Sequence, residues 1–250
     1  MTSGRARSFG PVAETYERYR PEYPAAVVGI VQEYAARPIR TAIELGAGTG
    51  KVTRVFARQG VSVIATEPDI EMLAELHRQV PGVRTIAAPL EGLPPLGLVD
   101  LVFAAAALHW TEPAGRWDRI AGLLVPGGVF ANFGGAPYLS DPALEAAEQH
   151  AQVAVGTDLP AGLTEVSDDG LHWPASELVQ DPRFTDIREM VLPQRWDFPK
   201  AEWIGYLSTV SAYLVLDDEA RVAALAAVAQ VLPDVVEVTA DVTLHLARRV

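Results

Sequence analysis

The chain has 250 residues, and 20 Lys+Arg against 32 Asp+Glu leave a formal charge of −12, which disfavours a sequence-independent grip on nucleic acid phosphates. A hydrophobic fraction of 49% with 21% charged residues matches an ordinary globular protein, and the length suits one elaborated α/β domain or two small ones. Cys is absent, which excludes disulfides, a thiol nucleophile and cysteine metal sites and suits a reducing compartment.

Met1 to Pro11 carries two Arg and no apolar h-region, and an apolar run such as Leu101 to Leu108 is far short of the ~20 residues of a membrane span. The expectation is a soluble, cytoplasmic protein without membrane contact. Val12, Tyr16 and Tyr19 fall at helical spacing and predict a short leading helix, closed by Pro21 and Pro24. A second amphipathic stretch, Ala25 to Ala36, precedes a buried strand at Thr41 to Leu45. Helix-like Lys51 to Gln59, strand Val61 to Thr66, helix Ile70 to Gln79 and strand Val83 to Ala87 follow. The loop Pro89 to Leu98 leads to strand Val99 to Ala104, a helix around Ala114 to Leu124 and strand Val129 to Phe133. Strands alternating with helices predict a parallel sheet.

Beyond residue 135 the pattern changes. A helix near Ala143 to Val155, a Gly/Pro/Asp-rich connection from Gly156 to Pro182, a strand-like Phe184 to Phe198, helices Ala201 to Leu214 and Glu219 to Val231, and an alternating strand Val236 to Ala247 are expected. The two late strands complete an α/β fold as an antiparallel edge pair, giving a Rossmann-like, mostly parallel seven-stranded sheet. The expected single domain has a core at about 38–135 and 235–250 and a helical cap or lid at about 1–37 and 136–233.

The stretch Glu44-Leu-Gly-Ala-Gly-Thr-Gly50 joins strand to helix, where glycines permit a tight turn and a close ligand at a positive helix N-terminus. Glycines at 46, 48 and 50 followed by Lys51 do not match the dinucleotide pattern G-x-G-x-x-G. Glu44 would repel a pyrophosphate and favour a ligand carrying an ammonium or sulfonium group. Glu67 ends the second strand, where an acidic side chain meets ribose hydroxyls. The plainer alternative has the glycines only making a turn and the two acids capping helices.

Together these stretches resemble class I S-adenosylmethionine-dependent methyltransferases of the small-molecule branch, which includes ubiquinone/menaquinone-biosynthesis and trans-aconitate methyltransferases. The resemblance rests on FGPVAETYERYRPEYP at 9–24, IELGAGTGKVT at 43–53, VIATEPDIEML at 63–73, LEGLP at 90–94, VDLVFAAAALHW at 99–110, LLVPGGVF at 123–130 and WIGYLSTVSAYLVLDDEAR at 203–221. It implies S-adenosylmethionine as cofactor and S-adenosylhomocysteine as product. It also implies that Gly46, Ala47 and Gly48 face the methionine moiety beside Glu44, that Glu67 with Pro68 takes the ribose, that the backbone at Leu90 and Glu91 holds the adenine, and that Ala105 borders the site. Tyr16 and Arg20 would close over the cofactor. The sequence departs from many relatives near Pro89, where they carry an Asp for the adenine amino group; backbone groups are expected to replace it.

Ala104 to Ala107, then Leu108-His109-Trp110, run off the carboxyl end of the fourth strand, beside the crevice of such sheets. His109 is the candidate base for a hydroxyl or amine acceptor, with Trp110 in the pocket wall. The alternative is a His109 bonded to a backbone carbonyl and a Trp110 in the core. His172, Trp173, Trp203 and Tyr213 are candidates for an aromatic substrate lid, or else for its packing face. His77, His150 and His245 stand singly, so no metal is expected. Asp168-Asp169 and Asp217-Asp218-Glu219 read as loop and helix-start charges.

The function expected is transfer of a methyl group to an O, N or C atom of a small, apolar or aromatic metabolite, of the secondary-metabolite or quinone-precursor kind, by in-line displacement. The alternatives are an S-adenosylmethionine-binding enzyme of this fold that catalyses a cyclisation or rearrangement, and a non-catalytic binding module. A small-molecule acceptor is the partner expected, with no nucleic acid; the oligomeric state is left open.

Overall fold

Thr41–Leu45 (β1) is buried at every position but its first, because it lies between two neighbours in a sheet. It pairs in parallel with Ser62–Thr66 (β2) and with Val99–Ala105 (β4), so that Ile43 faces Ile64 on one side and Val102 on the other. Arg84–Ile86 (β3) lies outside β2, and Leu124–Gly134 (β5) lies beside β4 in parallel. The computed structural model describes residues 9–154 and 171–250. Asp168 and Asp169 fall outside them.

The full order of this seven-stranded sheet is β3-β2-β1-β4-β5, then β10 (Val242–Arg249), then β7 (Phe184–Leu192). Strand β10 runs antiparallel to β5, and β7 forms the edge. The order reverses between β1 and β4, and in open α/β sheets that switch point opens a crevice at the carboxyl ends of the strands.

Alternation along β4 and β5 supplies both faces. Phe103 and Phe133 point one way and stack with Phe56 of the helix Lys51–Arg58, at 4.5 and 6.2 Å between rings. Val102 and Phe130 point the other way, onto Trp117 and Ile120 of the helix Arg116–Leu123. The helices Ala26–Ala35 and Ile70–Gln79 belong to this same unit, which spans 22–134, 171–191 and 243–250 among the described residues.

A second unit comprises 9–21, 135–154 and 192–242 among the described residues. Its three-stranded sheet has Val235–Thr239 (β9) antiparallel to both Tyr138–Leu139 (β6) and Arg195–Pro199 (β8). Trp203, Tyr206, Leu207, Tyr213, Val228 and Val238 form its core.

Two expected strands are therefore each two strands. Phe184 to Phe198 breaks at Pro193, which has no N–H to give a ladder, and its halves enter different sheets. Val236 to Ala247 breaks at Ala240-Asp241, where Asp241 accepts from Gln194 N at 3.0 Å and Gln194 O accepts from Ala240 N at 2.9 Å. The expected helix 201–214 also divides, into Lys200–Leu207 and Ser211–Leu214. There Ser208 and Thr209 hydroxyls bond the carbonyls of Gly205 and Tyr206, competing with the helix ladder.

Candidate active site

The loop after β1 takes its shape from three glycines with positive φ, +66° at Gly46, +56° at Gly48 and +88° at Gly50. Gly46 has a second constraint: a Cβ there would lie 2.5 Å from the Cβ of Ala107, so the segment following β4 rests directly on the loop. Ala47 N donates to Thr66 O at 2.9 Å, which ties the loop to the end of β2.

Glu67 sits just past β2 and is buried. Its carboxylate accepts from Gly48 N at 2.9 Å and from Asp69 N at 3.0 Å, and each oxygen keeps a lone pair for a further donor. Burial outweighs those two bonds and, with Asp69 nearby, pushes its pKa up to about 7. The cap of the helix Ile70–Gln79 is Asp69, which accepts from Glu71 N and Met72 N, so Glu67 is not spent on capping. The D-x-E pattern at the head of an amphipathic helix carried that signal in the sequence. Ile70 beside it is 72% exposed, an apolar surface bared next to the acid that sequence reasoning passed over.

Glu44, on β1, is 1% exposed. Register places it on the same face as Phe103, toward the helix Lys51–Arg58, whose Thr53 hydroxyl donates to its carboxyl at 2.5 Å. Burial drives its pKa up to about 8, the Thr53 bond opposes this, and Glu67 adds repulsion. Among the described residues no cation lies within ion-pair reach of either acid. The two cations of the helix, Lys51 and Arg54, are bound to Glu22, Lys51 at 3.1 Å and Arg54 through two of its nitrogens. Buried carboxyls without a cation, around a glycine turn that admits a close ligand, form a donor set suited to a cationic nucleoside with free ribose hydroxyls.

Ala105 ends β4, and Ala106 adopts φ +50° with its N–H on Phe133 O at 2.8 Å. This bend turns the chain into the short helical turn Leu108–Trp110, anchored by the buried Leu108. His109 is exposed there, its ring centroid 4.5 Å from that of Trp110. Protein packed about the imidazole, and then the Arg116 guanidinium, hold its pKa below the usual value, so it is neutral at pH 7. Because Ala107 touches Gly46, the structure brings this turn and the glycine loop together.

Leu90 is buried and Glu91 half-buried in a turn whose outer side lines a groove of about 480 Å³ with Leu93, Leu96 and Leu123. The Glu91 carboxylate accepts from Glu112 N at 2.6 Å, which leaves its backbone as the group on offer. Pro68 is half-buried beside Glu67. His172 is tied to Glu189 twice, by Nδ1 at 2.6 Å and by its backbone N at 3.0 Å. Trp173 donates to Glu177, which also accepts from Trp117. These bonds give His172 and Trp173 structural partners of their own.

Tyr16, Arg20, Trp203 and Tyr213 belong to the second unit. Arg20 donates to Thr209 Oγ1 at 2.8 Å and to Thr209 O at 2.9 Å, lying between the Tyr16 and Tyr206 rings. Trp203 and Tyr213 are almost wholly buried in that unit's core. His77 contacts Thr85 Oγ1, His150 contacts Ala146 O, and the buried His245 lies 3.4 Å from Glu189. Among the described residues no group of three or more His, Cys, Asp or Glu side chains is placed to hold a metal ion.

Residues 43–132, which span the glycine loop, both acids and the His109 turn, match the family described as methyltransferase domain. That stretch thus resembles a methyltransferase domain. An uncharacterized methyltransferase of Mycobacterium bovis is 38% identical to it over 122 residues, 48% of this chain and 49% of the relative. A trans-aconitate 2-methyltransferase of Acidovorax sp. is 29% identical over 119 residues, 46% of each chain. The chain thus spans about half the length of the curated relatives it matches. A solved structure described as a type II methyltransferase, from Anaeromyxobacter dehalogenans, superposes with a TM-score of 0.67 at 26% identity, covering 92% of this chain and 98% of that one. The likeness to that structure therefore extends well beyond residues 43–132 in both directions.

Proposed function

We propose that this chain transfers a methyl group from S-adenosylmethionine to a small, apolar or aromatic metabolite. The observation that carries the reading is the pair of buried acids, Glu44 and Glu67, flanking the glycine loop at the switch point with no cation within ion-pair reach among the described residues. A bound S-adenosylmethionine supplies an electrophilic methyl on a sulfonium and leaves as S-adenosylhomocysteine.

This chain's own residues do the rest. Gly46, Ala47 and Gly48 admit the methionine portion to the backbone, and Glu44 offers it negative charge. Glu67, with Pro68 beside it, takes the ribose hydroxyls on its spare lone pairs, and the Leu90–Glu91 backbone with the bared Ile70 borders the base. Ala105 and the short side chains after it leave room for the acceptor against Trp110. His109 takes the proton that an oxygen or nitrogen acceptor loses as its new bond to carbon forms, which its neutral imidazole is ready to do. Holding acceptor and methyl in line in a site shielded from water supplies most of the acceleration. His172 and Trp173 are assigned to support of the acceptor region.

An apolar acceptor is favoured over a tricarboxylate because the arginines named here are engaged, Arg116 by Thr111 and Glu177 and Arg20 by Thr209. The charge of −12 speaks against a nucleic acid substrate. No helix among the described residues is long and apolar enough to cross a membrane, and a metabolite substrate together with the lack of Cys supports a cytoplasmic setting. The test is transfer of isotopically labelled methyl from S-adenosylmethionine into a small-molecule extract, read by mass spectrometry. A labelled product with release of S-adenosylhomocysteine is expected. Tight binding of the cofactor without transfer to any extract component would overturn the assignment as a methyltransferase.

A further inference from the structure

Glu44 is a carboxyl 1% exposed that forms no ion pair among the described residues. From the helix packed over it come Thr53, which donates to it at 2.5 Å, and Lys51 and Arg54, which are bound to Glu22. From the end of β2 come two more acids, Glu67, held by two backbone N–H groups, and Asp69, held by those of Glu71 and Met72. On β4, its register partner is the apolar Phe103. Yet the carboxyl stands two residues before Gly46, where the backbone is shaped for a close ligand.

Resting on the cofactor reading above, we propose that Glu44 couples the binding of a cationic nucleoside to the release of a proton from the site. Without ligand, burial keeps this carboxyl protonated at neutral pH, its pKa standing at about 8. A positive charge brought to the loop favours the carboxylate, so the Glu44 O–H bond breaks and its proton passes to solvent. The anion left behind stays opposite the ligand's cation, and the net charge added to the site by the ligand's cation is cancelled. By linkage, Glu44 makes affinity for the cationic ligand rise about tenfold per pH unit below pH 8, and the rise ends there, where Glu44 is ionised and the ligand's own ammonium begins to lose its proton. A neutral nucleoside shows no such rise from this group.

The test is calorimetric titration of the full chain with S-adenosylmethionine and with 5′-methylthioadenosine, which shares the adenosine but carries neither ammonium nor sulfonium. Each titration is run in buffers of different ionisation enthalpy, which yields the number of protons released. Both ligands present the same ribose to Glu67, so its contribution cancels in the difference. At pH 7, where the ligand's own ammonium is still mostly charged, S-adenosylmethionine is expected to release most of one more proton per site than 5′-methylthioadenosine. In Glu44→Gln the difference disappears while 5′-methylthioadenosine affinity stays within about twofold; if that variant does not fold, the wild-type comparison decides. Equal proton counts for two ligands that both bind would overturn the coupling and leave the cofactor reading standing. Failure of both to bind, even at pH 9, would overturn the cofactor reading and the coupling with it.

Discussion

Gly46 lies so close to Ala107 that a Cβ on the glycine would stand 2.5 Å from the alanine methyl. One contact thus joins the loop after β1 to the turn carrying His109, and it can form only without a side chain at position 46. Gly46→Ala forces a non-glycine residue to φ +66°, at a cost of about 1–2 kcal/mol, and overpacks the contact for about 1–3 kcal/mol more. Gly60 provides the control, because its φ is +81° but nothing lies within 4 Å of a Cβ there. Urea denaturation should show Gly46→Ala the more destabilised of the two, and the gap measures the packing at Ala107. Equal losses would show that the segment after β4 yields freely.

The buried acids set the sign of the pH dependence. Glu44 at about 8, and Glu67 and Glu148 at about 7, hold protons in the folded state that the unfolded chain sheds near 4.5. Between those values these three acids bind more protons in the native state and lower stability as pH rises from about 5 to 8, while His109 and His245, held below the usual imidazole value, oppose them below about pH 6.5. Self-repulsion of a chain at −12 acts in the same direction, which makes Glu44→Gln the discriminating variant. It should reduce the downward slope between pH 5 and pH 8 by up to about 1.4 kcal/mol per pH unit, read from urea midpoints at fixed ionic strength. A slope unchanged in Glu44→Gln would mean that Glu44 is ionised throughout that range.

The seven-stranded sheet was legible because its strands are short apolar runs closed by glycine or proline, and the glycine loop because G-x-G-x-G with flanking acids is written contiguously. Positions 184–198 and 236–247 misled because alternation continues through Pro193 and through Ala240-Asp241, and only the backbone bonds around Gln194 reveal that each run changes sheet. Asp69, rather than Glu67, caps the helix Ile70–Gln79, and the D-x-E pattern at 69–71 is the sequence signal for it. His172 reads as a free polar group in a loop because its partner Glu189 lies far along the chain, whereas Trp173 meets Glu177 at i+4, a helical spacing hidden by reading 156–182 as a Gly/Pro-rich connection. Trp203 and Tyr213 carry helical spacing, which does not distinguish a wall from a core.

Glu148 is a further buried acid, with partners inside its own unit. Its carboxylate accepts from Trp203 Nε1 at 2.7 Å and from Gln152 Nε2 at 3.1 Å, and the same Gln152 nitrogen donates to the Tyr213 hydroxyl at 2.8 Å. Burial pushes its pKa up to about 7 against those bonds, with Glu145 adding to the rise. Glu148→Ala strands the buried Trp203 N–H and should cost about 1–3 kcal/mol at pH 6. Glu148→Gln keeps an acceptor for the indole and removes the charge, so at pH 8 it should match or exceed the wild type. Denaturation followed by tryptophan fluorescence at both pH values checks the pair, and an equal loss for both variants would show that the charge itself is what the network needs.

His109 links the site's geometry to its chemistry. Packing and Arg116 hold the imidazole pKa below its usual value, so the proton-accepting form is already the resting form at pH 7. If it serves as base, His109→Ala should lower kcat by about 10²-fold or more for an oxygen or nitrogen acceptor while leaving KM for the cofactor within about threefold. The wild-type rate should lose activity as pH falls through the lowered imidazole pKa, because protonation removes the accepting lone pair, and the variant should lose that limb. A kcat unchanged on removal of the imidazole would restrict His109 to the pocket wall. It would also leave the acceleration to alignment between the glycine loop and the turn that Ala107 seats against it.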